Sequence, residues 1–197
     1  MVVGVLALQG AFFEPLISGN ITLSELENHS GKNKKEDLKI HIDGLILPGG
    51  ESTTIGKLLK DLDIYEDLKL MIQQGLPTFG TCAGMILLAK KLYNDDTVHL
   101  GLMDIEVKRN AYGRQLGSFV VNQDFQNMGI IPMVFIRAPY IQSVKENVEV
   151  LCVVNDNIVS ARQDNMLVTS FHPELTSSTK VHEYFINMIK EKNGIKC

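Results

Sequence analysis

A cysteine between two glycines is the first candidate for chemistry in this chain. A short apolar run over residues 76–79 leads into Gly80-Thr81-Cys82-Ala83-Gly84, and an apolar run of helical character follows. A strand, a tight Gly-x-Cys-x-Gly turn and a helix together make a nucleophile elbow. Unpaired N–H groups at the start of the helix favour a thiolate, which is the attacking form of cysteine. The pattern therefore predicts that Cys82 is a nucleophile, with a buried structural cysteine as the alternative.

A nucleophilic thiol needs a base and a group that orients the base. His172 ends an apolar run over residues 166–171 and is followed by Pro173 and Glu174. A carboxylate two residues away can fix the tautomer of the imidazole and stabilise its protonated form. The remaining histidines have no comparable setting, and His182 is predicted on the exposed side of the last helix. They are His29, His41, His99 and His182. Cys82, His172 and Glu174 thus form the predicted catalytic triad.

An attacked carbonyl develops an oxyanion, which requires preorganised N–H donors. The amide of Ala83, directly after the nucleophile, is one expected donor. Gly49 and Gly50 follow a buried strand and allow close approach of the backbone to a substrate, so one of them is expected to provide the other. The alternative for this segment is a plain strand-to-helix turn in which Ser52 or Thr53 caps the helix.

These residues are expected at the strand ends of a single α/β domain over residues 1–197, because short β-rich runs alternate with amphipathic runs. Helices are predicted within residues 53–73, over residues 83–91, and near the C-terminus, where apolar residues recur at helical spacing from Val181 to Ile189. Residues 12–40 maintain neither the helical nor the strand spacing of apolar residues, and they are interpreted as an irregular surface segment. The strands are predicted at residues 2–8, 42–47, 76–79, 102–108, 117–122, 133–137, 148–154, 157–163 and 166–171, with the pair over 148–163 forming a hairpin.

Composition excludes several classes of protein. The formal net charge is -4, which argues against non-specific nucleic-acid binding. No apolar run reaches the ~20 residues of a membrane helix, so the expected location is the cytoplasm. Three widely spaced cysteines argue against a disulfide framework, with Cys152 predicted in the core and Cys197 at a frayed end. No metal-ligand spacing is present, and no metal is expected.

The chain resembles the triad glutamine amidotransferases and, more narrowly, the glutaminase subunits of two-component pyridoxal 5′-phosphate synthases. The resemblance covers residues 1–10 and 41–190. It rests on Leu8-Gln9-Gly10, Leu47-Pro48-Gly49-Gly50-Glu51-Ser52-Thr53-Thr54, Gly80-Thr81-Cys82-Ala83-Gly84, Arg109-Asn110-x-x-Gly113-Arg114-Gln115, Phe135-Ile136-Arg137-Ala138-Pro139 and Ser170-Phe171-His172-Pro173-Glu174-Leu175. It implies a flavodoxin-like, three-layer class I glutamine amidotransferase fold with a central, mostly parallel sheet. Members usually have a helix and a further core strand after Leu-Gln-Gly, and residues 11–40 depart from that pattern.

The resemblance also implies binding residues for L-glutamine. Gly50, Glu51 and Ser52 match the glutamine-binding loop of the family. Arg109 and the pair Ile136 and Arg137 match its other glutamine contacts. These assignments are chemically reasonable, because an arginine can pair with the α-carboxylate of glutamine and a glutamate with its ammonium group. Without the resemblance, both arginines would be interpreted as surface charges.

The implied activity is hydrolysis of glutamine to glutamate and ammonia through a γ-glutamyl thioester, without a cofactor. The implied partner is a (β/α)8-barrel synthase subunit that receives the ammonia and makes pyridoxal 5′-phosphate. Family members often have low activity until the partner docks, which predicts an imperfect oxyanion hole in the free subunit. The alternatives are a glutaminase subunit of another synthase, such as imidazole glycerol phosphate synthase, a non-catalytic regulatory subunit, and a cysteine hydrolase or protease on a related scaffold.

Overall fold

The computed structural model of the chain describes residues 1–8, 22–27, 41–109 and 117–195. The helices are α1 (Ser52–Asp61), α2 (Tyr65–Gln73), α3 (Ala83–Leu88) and α4 (Lys180–Lys192), with a short 3-10 turn at Pro173–Leu175. The strands are β1 (Val2–Ala7), β2 (Thr22–Glu27), β3 (Gly44–Leu47), β4 (Thr78–Thr81), β5 (Ala89–Leu92), β6 (Met103–Lys108), β7 (Ser118–Phe125), β8 (Gly129–Ile136), β9 (Tyr140–Val144), β10 (Glu149–Val154), β11 (Asn157–Gln163) and β12 (Met166–Thr169).

One large sheet organises the chain, with strand order β2-β1-β3-β4-β12-β11-β9-β6-β5 and β10 paired to β11. The first five strands in that order run parallel to one another. Strands β11, β9 and β6 continue the sheet in antiparallel fashion, and β5 pairs with β6 in parallel. Strands β7 and β8 form a separate antiparallel ribbon. The parallel part therefore contains the strands that precede the predicted catalytic motifs.

Both faces of the sheet are covered, which explains the continuous apolar runs of its central strands. Alternate residues of β3 point to opposite faces. Leu45 and Leu47 join the cluster that contains α1, α2 and α3. Ile46 joins the cluster on the other face, to which α4 and the β7–β8 ribbon contribute. This arrangement of helices, sheet and cover confirms the predicted α/β, flavodoxin-like three-layer fold with a parallel central region.

Three predicted elements differ from the structure. A strand, β2, lies within residues 12–40, where an irregular segment was expected, and it extends the sheet beside β1. The helix expected over residues 83–91 ends at Leu88, because Ala89 adopts an extended conformation and begins β5. Strand β9 was not predicted, although it pairs with both β6 and β11. Residues 9–21, 28–40, 110–116 and 196–197, which include His29, Cys197 and parts of two family motifs, lie outside the described residues.

Candidate active site

The candidate site lies at the carboxyl ends of three adjacent parallel strands. Strand β4 pairs with β3 on one side and with β12 on the other, with Gly80 opposite Leu47 and Thr81 opposite Thr169. The chain continues from these strands into Gly49, Cys82 and His172. Parallel strands end at the same edge of a sheet, so segments that are far apart in sequence meet there.

Cys82 occupies a sharp turn between β4 and α3. Its backbone has φ 50° and ψ -99°, a conformation that non-glycine residues rarely adopt. The Cys82 amide donates to the carbonyl of Thr169, at 2.8 Å, which holds the turn against β12. A Cβ added to Gly84 would lie 2.0 Å from the Leu47 carbonyl oxygen, so only glycine allows α3 to pack this closely on β3. The strained backbone and the glycine together form the predicted elbow.

His172 lies directly beside the elbow and is oriented by Glu174. Its Nδ1 is 2.8 Å from Oε1 of Glu174, and each side chain is only 13% exposed. Its backbone amide donates to the carbonyl of Val134, at 2.8 Å, which fixes the segment against β8. Because the carboxylate accepts from Nδ1–H, the other ring nitrogen, Nε2, is the one available to the thiol.

The charges and hydrogen bonds around His172 favour the protonated form of its imidazole. Burial opposes the charge of His172, but hydrogen bonds with the Cys82 thiol and with Glu174, together with the charges of both groups, raise its pKa to about 10. At neutral pH His172 is therefore an imidazolium within hydrogen-bonding reach of the cysteine. A neighbouring imidazolium stabilises a thiolate, as in other cysteine nucleophiles that are paired with histidine.

Gly49 lies beside both Cys82 and His172. A Cβ built on Gly49 would lie 2.6 Å from Cε1 of His172 and 3.7 Å from Cβ of Cys82. The buried backbone of Gly49 thus passes within contact distance of both side chains. Gly50 follows with φ 143°, and Ala83, the other predicted donor, is the first residue of α3. Gly49 and Ala83, two of the predicted oxyanion-hole residues, therefore both lie next to Cys82.

The helix cap that the alternative for this segment named lies at a different residue. Glu51, and neither Ser52 nor Thr53, is the N-cap of α1. Its carboxylate accepts from the amides of Thr53 and Thr54, at 3.0 and 2.7 Å, and from the Thr54 hydroxyl at 2.7 Å. The hydrogen bond from the Thr54 side chain, outweighing burial, lowers the pKa of Glu51 to about 2. Ser52 is the buried first residue of the helix.

Arg109 extends from the end of β6 to the first turn of α1. Its Nη1 donates to Oγ1 of Thr53 at 3.3 Å, and its Nη2 lies 3.8 Å from a carboxylate oxygen of Asp95. Arg109 is thus next to the loop that carries Glu51, as a substrate contact requires. Nothing in the sequence pointed to Thr53 or Asp95 as its neighbours, because the contacts join three segments that are distant along the chain.

The end of β8 brings the last predicted binding residues to the same edge. Val134, which accepts from the His172 amide, lies two residues before Ile136. Ile136 is 38% exposed, and Arg137 is exposed with φ 43°. The Arg137 amide donates to the Gly117 carbonyl at 2.8 Å, which anchors this turn to the start of β7.

Two histidines occupy settings that the sequence did not indicate. His182 was predicted on the exposed side of the last helix, but it is only 8% exposed and contacts Phe79 edge to face. Burial lowers its pKa, although the charge of Glu174 opposes that shift. The His182 position was missed because the buried face of α4 is wide enough to include His182 and Ile186 beside the apolar stripe. His99 is also buried and packs against Gly56 of α1.

The other described residues give no sign of a different reaction centre. Cys152 is buried, and burial raises the pKa of its thiol to about 11, so it is protonated at neutral pH. Within the described ranges, no three His, Cys, Asp or Glu side chains are grouped as a metal site would require. The helices described in the structure are too short or too polar to cross a bilayer.

Comparison with known proteins links this geometry to one family. The SNO glutamine amidotransferase family matches the chain over residues 5–191. The chain is 52% identical, over 194 residues, to "Pyridoxal 5′-phosphate synthase subunit PdxT" of Streptococcus pneumoniae serotype 2 (strain D39 / NCTC 7466). That alignment covers 98% of this chain and 100% of the relative, so the similarity extends well beyond the motifs around the site.

Solved structures give the same result at the level of the fold. One described as "Crystal structure of glutamine amidotransferase" superposes with a TM-score of 0.86 at 42% identity, covering 96% of this chain and 99% of the other. The structure of PurLQS from Thermotoga maritima superposes with a TM-score of 0.62 at 15% identity, covering 98% of this chain and 98% of the other. The second similarity concerns the fold alone.

Proposed function

Since the chain belongs to the SNO glutamine amidotransferase family, we propose that it is the glutaminase subunit of a pyridoxal 5′-phosphate synthase. It hydrolyses L-glutamine to glutamate and supplies the ammonia to a partner synthase subunit. The observation that carries this proposal is the His172–Glu174 contact of 2.8 Å beside the Cys82 elbow. The extended similarity to a relative named as a subunit of that synthase supports the choice of pathway.

In the first half of the reaction, the Cys82 thiolate attacks the side-chain amide carbon of glutamine and a carbon–sulfur bond forms. The N–H groups of Ala83 and of Gly49 or Gly50 stabilise the oxyanion of the tetrahedral intermediate. The Nε2–H of His172 gives its proton to the amide nitrogen, and the carbon–nitrogen bond breaks to release ammonia. A γ-glutamyl thioester remains on Cys82.

In the second half, the now neutral His172 takes a proton from water, and the resulting hydroxide attacks the thioester. The carbon–sulfur bond breaks, glutamate leaves, and the thiolate–imidazolium pair is restored. Glu174 keeps Nδ1 protonated throughout, so that Nε2 remains the nitrogen that exchanges protons. The chain needs no cofactor or metal for these steps.

Substrate recognition is assigned to the surrounding loops. Arg109 and Arg137 are cations at the edge of the site, suited to the α-carboxylate of glutamine. Glu51 offers a carboxylate for the ammonium group, in addition to its role as helix cap. Gly50, Ser52 and Ile136 complete the proposed binding surface around the reactive amide.

The proposed partner is a (β/α)8-barrel synthase subunit in a heteromeric complex, since ammonia loses its nucleophilicity when it is protonated in water and is best passed on directly. The assembled complex then has a lyase activity that this chain alone lacks. We expect the free subunit to be a poor glutaminase. A catalytic thiolate must also stay reduced, which favours the cytoplasm as its compartment.

The test is to mix the chain with a pyridoxal 5′-phosphate synthase barrel and measure glutamate release and product formation from glutamine. The Cys82→Ala variant should lose both, while product formation from added ammonium salt should persist. Cys152→Ala is the matched control, because it removes a buried thiol that is protonated at neutral pH, and it should remain active.

Three results would contradict the proposal. Glutamate release by the Cys82→Ala complex would remove the assigned nucleophile. An inactive wild-type complex, with Cys82 unmodified by a glutamine-analogue electrophile, would favour a non-catalytic regulatory subunit. Pull-down of a different ammonia-using synthase would favour another pathway, such as the imidazole glycerol phosphate branch.

A further inference from the structure

The Arg109 guanidinium is held from two sides, by Thr53 of the Gly-Gly-Glu-Ser-Thr-Thr block and by Asp95, which lies outside the family motifs. Oγ1 of Thr53 accepts from Nη1 at 3.3 Å, and Oδ2 of Asp95 lies 3.8 Å from Nη2. Arg109 is 36% exposed and Asp95 is 28% exposed, so the pair lies at the rim of the site. A long arginine side chain at a rim has many accessible rotamers, and contacts that restrict them reduce the entropy lost on binding a ligand.

Asp95 is itself fixed by a tight turn that follows β5. Leu92 and Asp95 form an isolated antiparallel bridge, and Asn94 between them has φ 55°. Oδ1 of Asp95 accepts from the Thr97 amide at 2.9 Å. The hydrogen bonds from Thr97 and the charge of Arg109 lower the pKa of Asp95, so it is a carboxylate at neutral pH. One oxygen therefore secures the turn, and the other faces the guanidinium.

We propose that Asp95 is a positioning residue for glutamine binding, which holds the Arg109 guanidinium beside the first turn of α1, where it can pair with the substrate α-carboxylate. The inference rests on the proposed glutaminase function. A guanidinium has five N–H donors, so Arg109 can keep Thr53 and Asp95 as partners and still bind a carboxylate through its remaining donors. Asp95 acts on substrate binding through Arg109 and takes no part in the bond-breaking steps.

The opposite effect, in which Asp95 competes with the substrate for Arg109, is disfavoured by charge. Glutamine is a zwitterion, so the attraction of Asp95 for its ammonium group offsets part of the repulsion from its carboxylate. The geometric effect on Arg109 remains. Removing the Asp95 charge should therefore weaken glutamine binding.

Asp95→Asn is the sharpest variant, because the amide oxygen can still accept from Thr97 while the charge that faces Arg109 is lost. In the complex with the synthase barrel, we expect KM for glutamine to rise about two- to fivefold, the range available to a partly exposed ion pair, with kcat unchanged. Asp96→Asn is the matched control, since it removes the same charge from the exposed neighbouring position, and its KM should equal that of wild type.

A double-variant cycle separates positioning from general damage to the loop. In an Arg109→Gln background, Asp95→Asn should have no further effect on KM. A second readout uses the free thiol: inactivation by 6-diazo-5-oxo-L-norleucine, a glutamine analogue with the α-carboxylate, should slow by the same factor. Alkylation by iodoacetamide, which lacks that group, should keep its wild-type rate.

The outcomes are distinguishable from failure of the proposed function. If wild-type complex does not hydrolyse glutamine, the function is wrong. If wild type is active but Asp95→Asn has an unchanged or lower KM, or raises KM equally in the Arg109→Gln background, the positioning role is wrong. A fall in kcat with constant KM would also overturn it.

Discussion

Replacing Glu174 by glutamine tests the mechanism most directly, because it removes one charge and keeps the shape of the side chain. Oε1 of Glu174 accepts from Nδ1 of His172 at 2.8 Å in a site where both groups are 13% exposed. The other oxygen, Oε2, is buried and has no hydrogen-bond partner among the described residues. A glutamine amide can be placed here in two orientations, and both are unfavourable.

With its oxygen on Nδ1, the amide puts an NH2 group at the Oε2 position, where a buried unsatisfied donor costs about 1–3 kcal/mol. With its NH2 on Nδ1, it selects the wrong tautomer of the imidazole. In either orientation, a charge-assisted hydrogen bond becomes a neutral one, a loss of about 1–1.5 kcal/mol. The combined loss of about 2–4 kcal/mol corresponds to a decrease in kcat/KM of roughly 30- to 1000-fold.

The pH dependence should change in a defined direction. His172 must be protonated to release ammonia, and its pKa is raised to about 10, so activity persists below that pH and is lost as the pH rises through it. Loss of the Glu174 charge lowers this pKa by about one unit, since one unit corresponds to about 1.4 kcal/mol. The alkaline limb of the Glu174→Gln profile should therefore appear near or below pH 9.

The assay is glutamate release by the barrel complex between pH 6 and 11, with iodoacetamide alkylation of Cys82 in the free chain as a readout that is independent of the partner. Glu183→Gln, the same substitution on the exposed side of α4, should leave both profiles unchanged. Wild-type kcat/KM and an unmoved alkaline limb in a folded Glu174→Gln variant would refute the assigned role of Glu174.

Two glycine substitutions separate activity from stability. Gly49→Ala places a methyl 2.6 Å from Cε1 of His172. We expect the glutaminase activity of the complex to fall at least about 100-fold, while the melting temperature changes by only a few degrees. Wild-type activity in this variant would count against the close approach of Gly49 to His172. Gly84→Ala places a methyl 2.0 Å from the Leu47 carbonyl oxygen, a backbone atom. We expect the free energy of unfolding, measured in urea, to fall by about 3 kcal/mol. An unchanged urea midpoint would contradict the close packing of α3 on β3.

The elements around the site could be predicted because local sequence encodes them. The elbow requires glycine at fixed positions, so Gly84 identifies the strand–turn–helix without knowledge of the partner strand. The Cys82 and His172 segments could be placed together because both follow apolar runs that are typical of central parallel strands. Those strands, β4 and β12, are adjacent in the structure.

The features that the sequence did not predict are those that depend on contacts between distant segments of the chain. Strand β9 is a short run of five residues whose burial alternates imperfectly, and it is held between β6 and β11 by pairing that the local pattern does not reveal. His182 lies in the first turn of a helix with charges around it, yet Phe79 covers it from the sheet. Asp95 has no neighbours in sequence that point to Arg109. In each case the deciding contact comes from a segment far along the chain.

Glu51 shows why a sequence motif does not separate structural from functional roles. The run Gly49-Gly50-Glu51-Ser52 combines a close backbone approach, a left-handed glycine and a helix cap within four residues. Removing the Glu51 carboxylate would uncap α1 at a cost of about 1 kcal/mol and disturb Gly49, which contacts His172, so lost activity would not identify a substrate contact. Replacing Arg109 does not remove a helix cap from that loop, so charge recognition of glutamine is better tested by substituting Arg109.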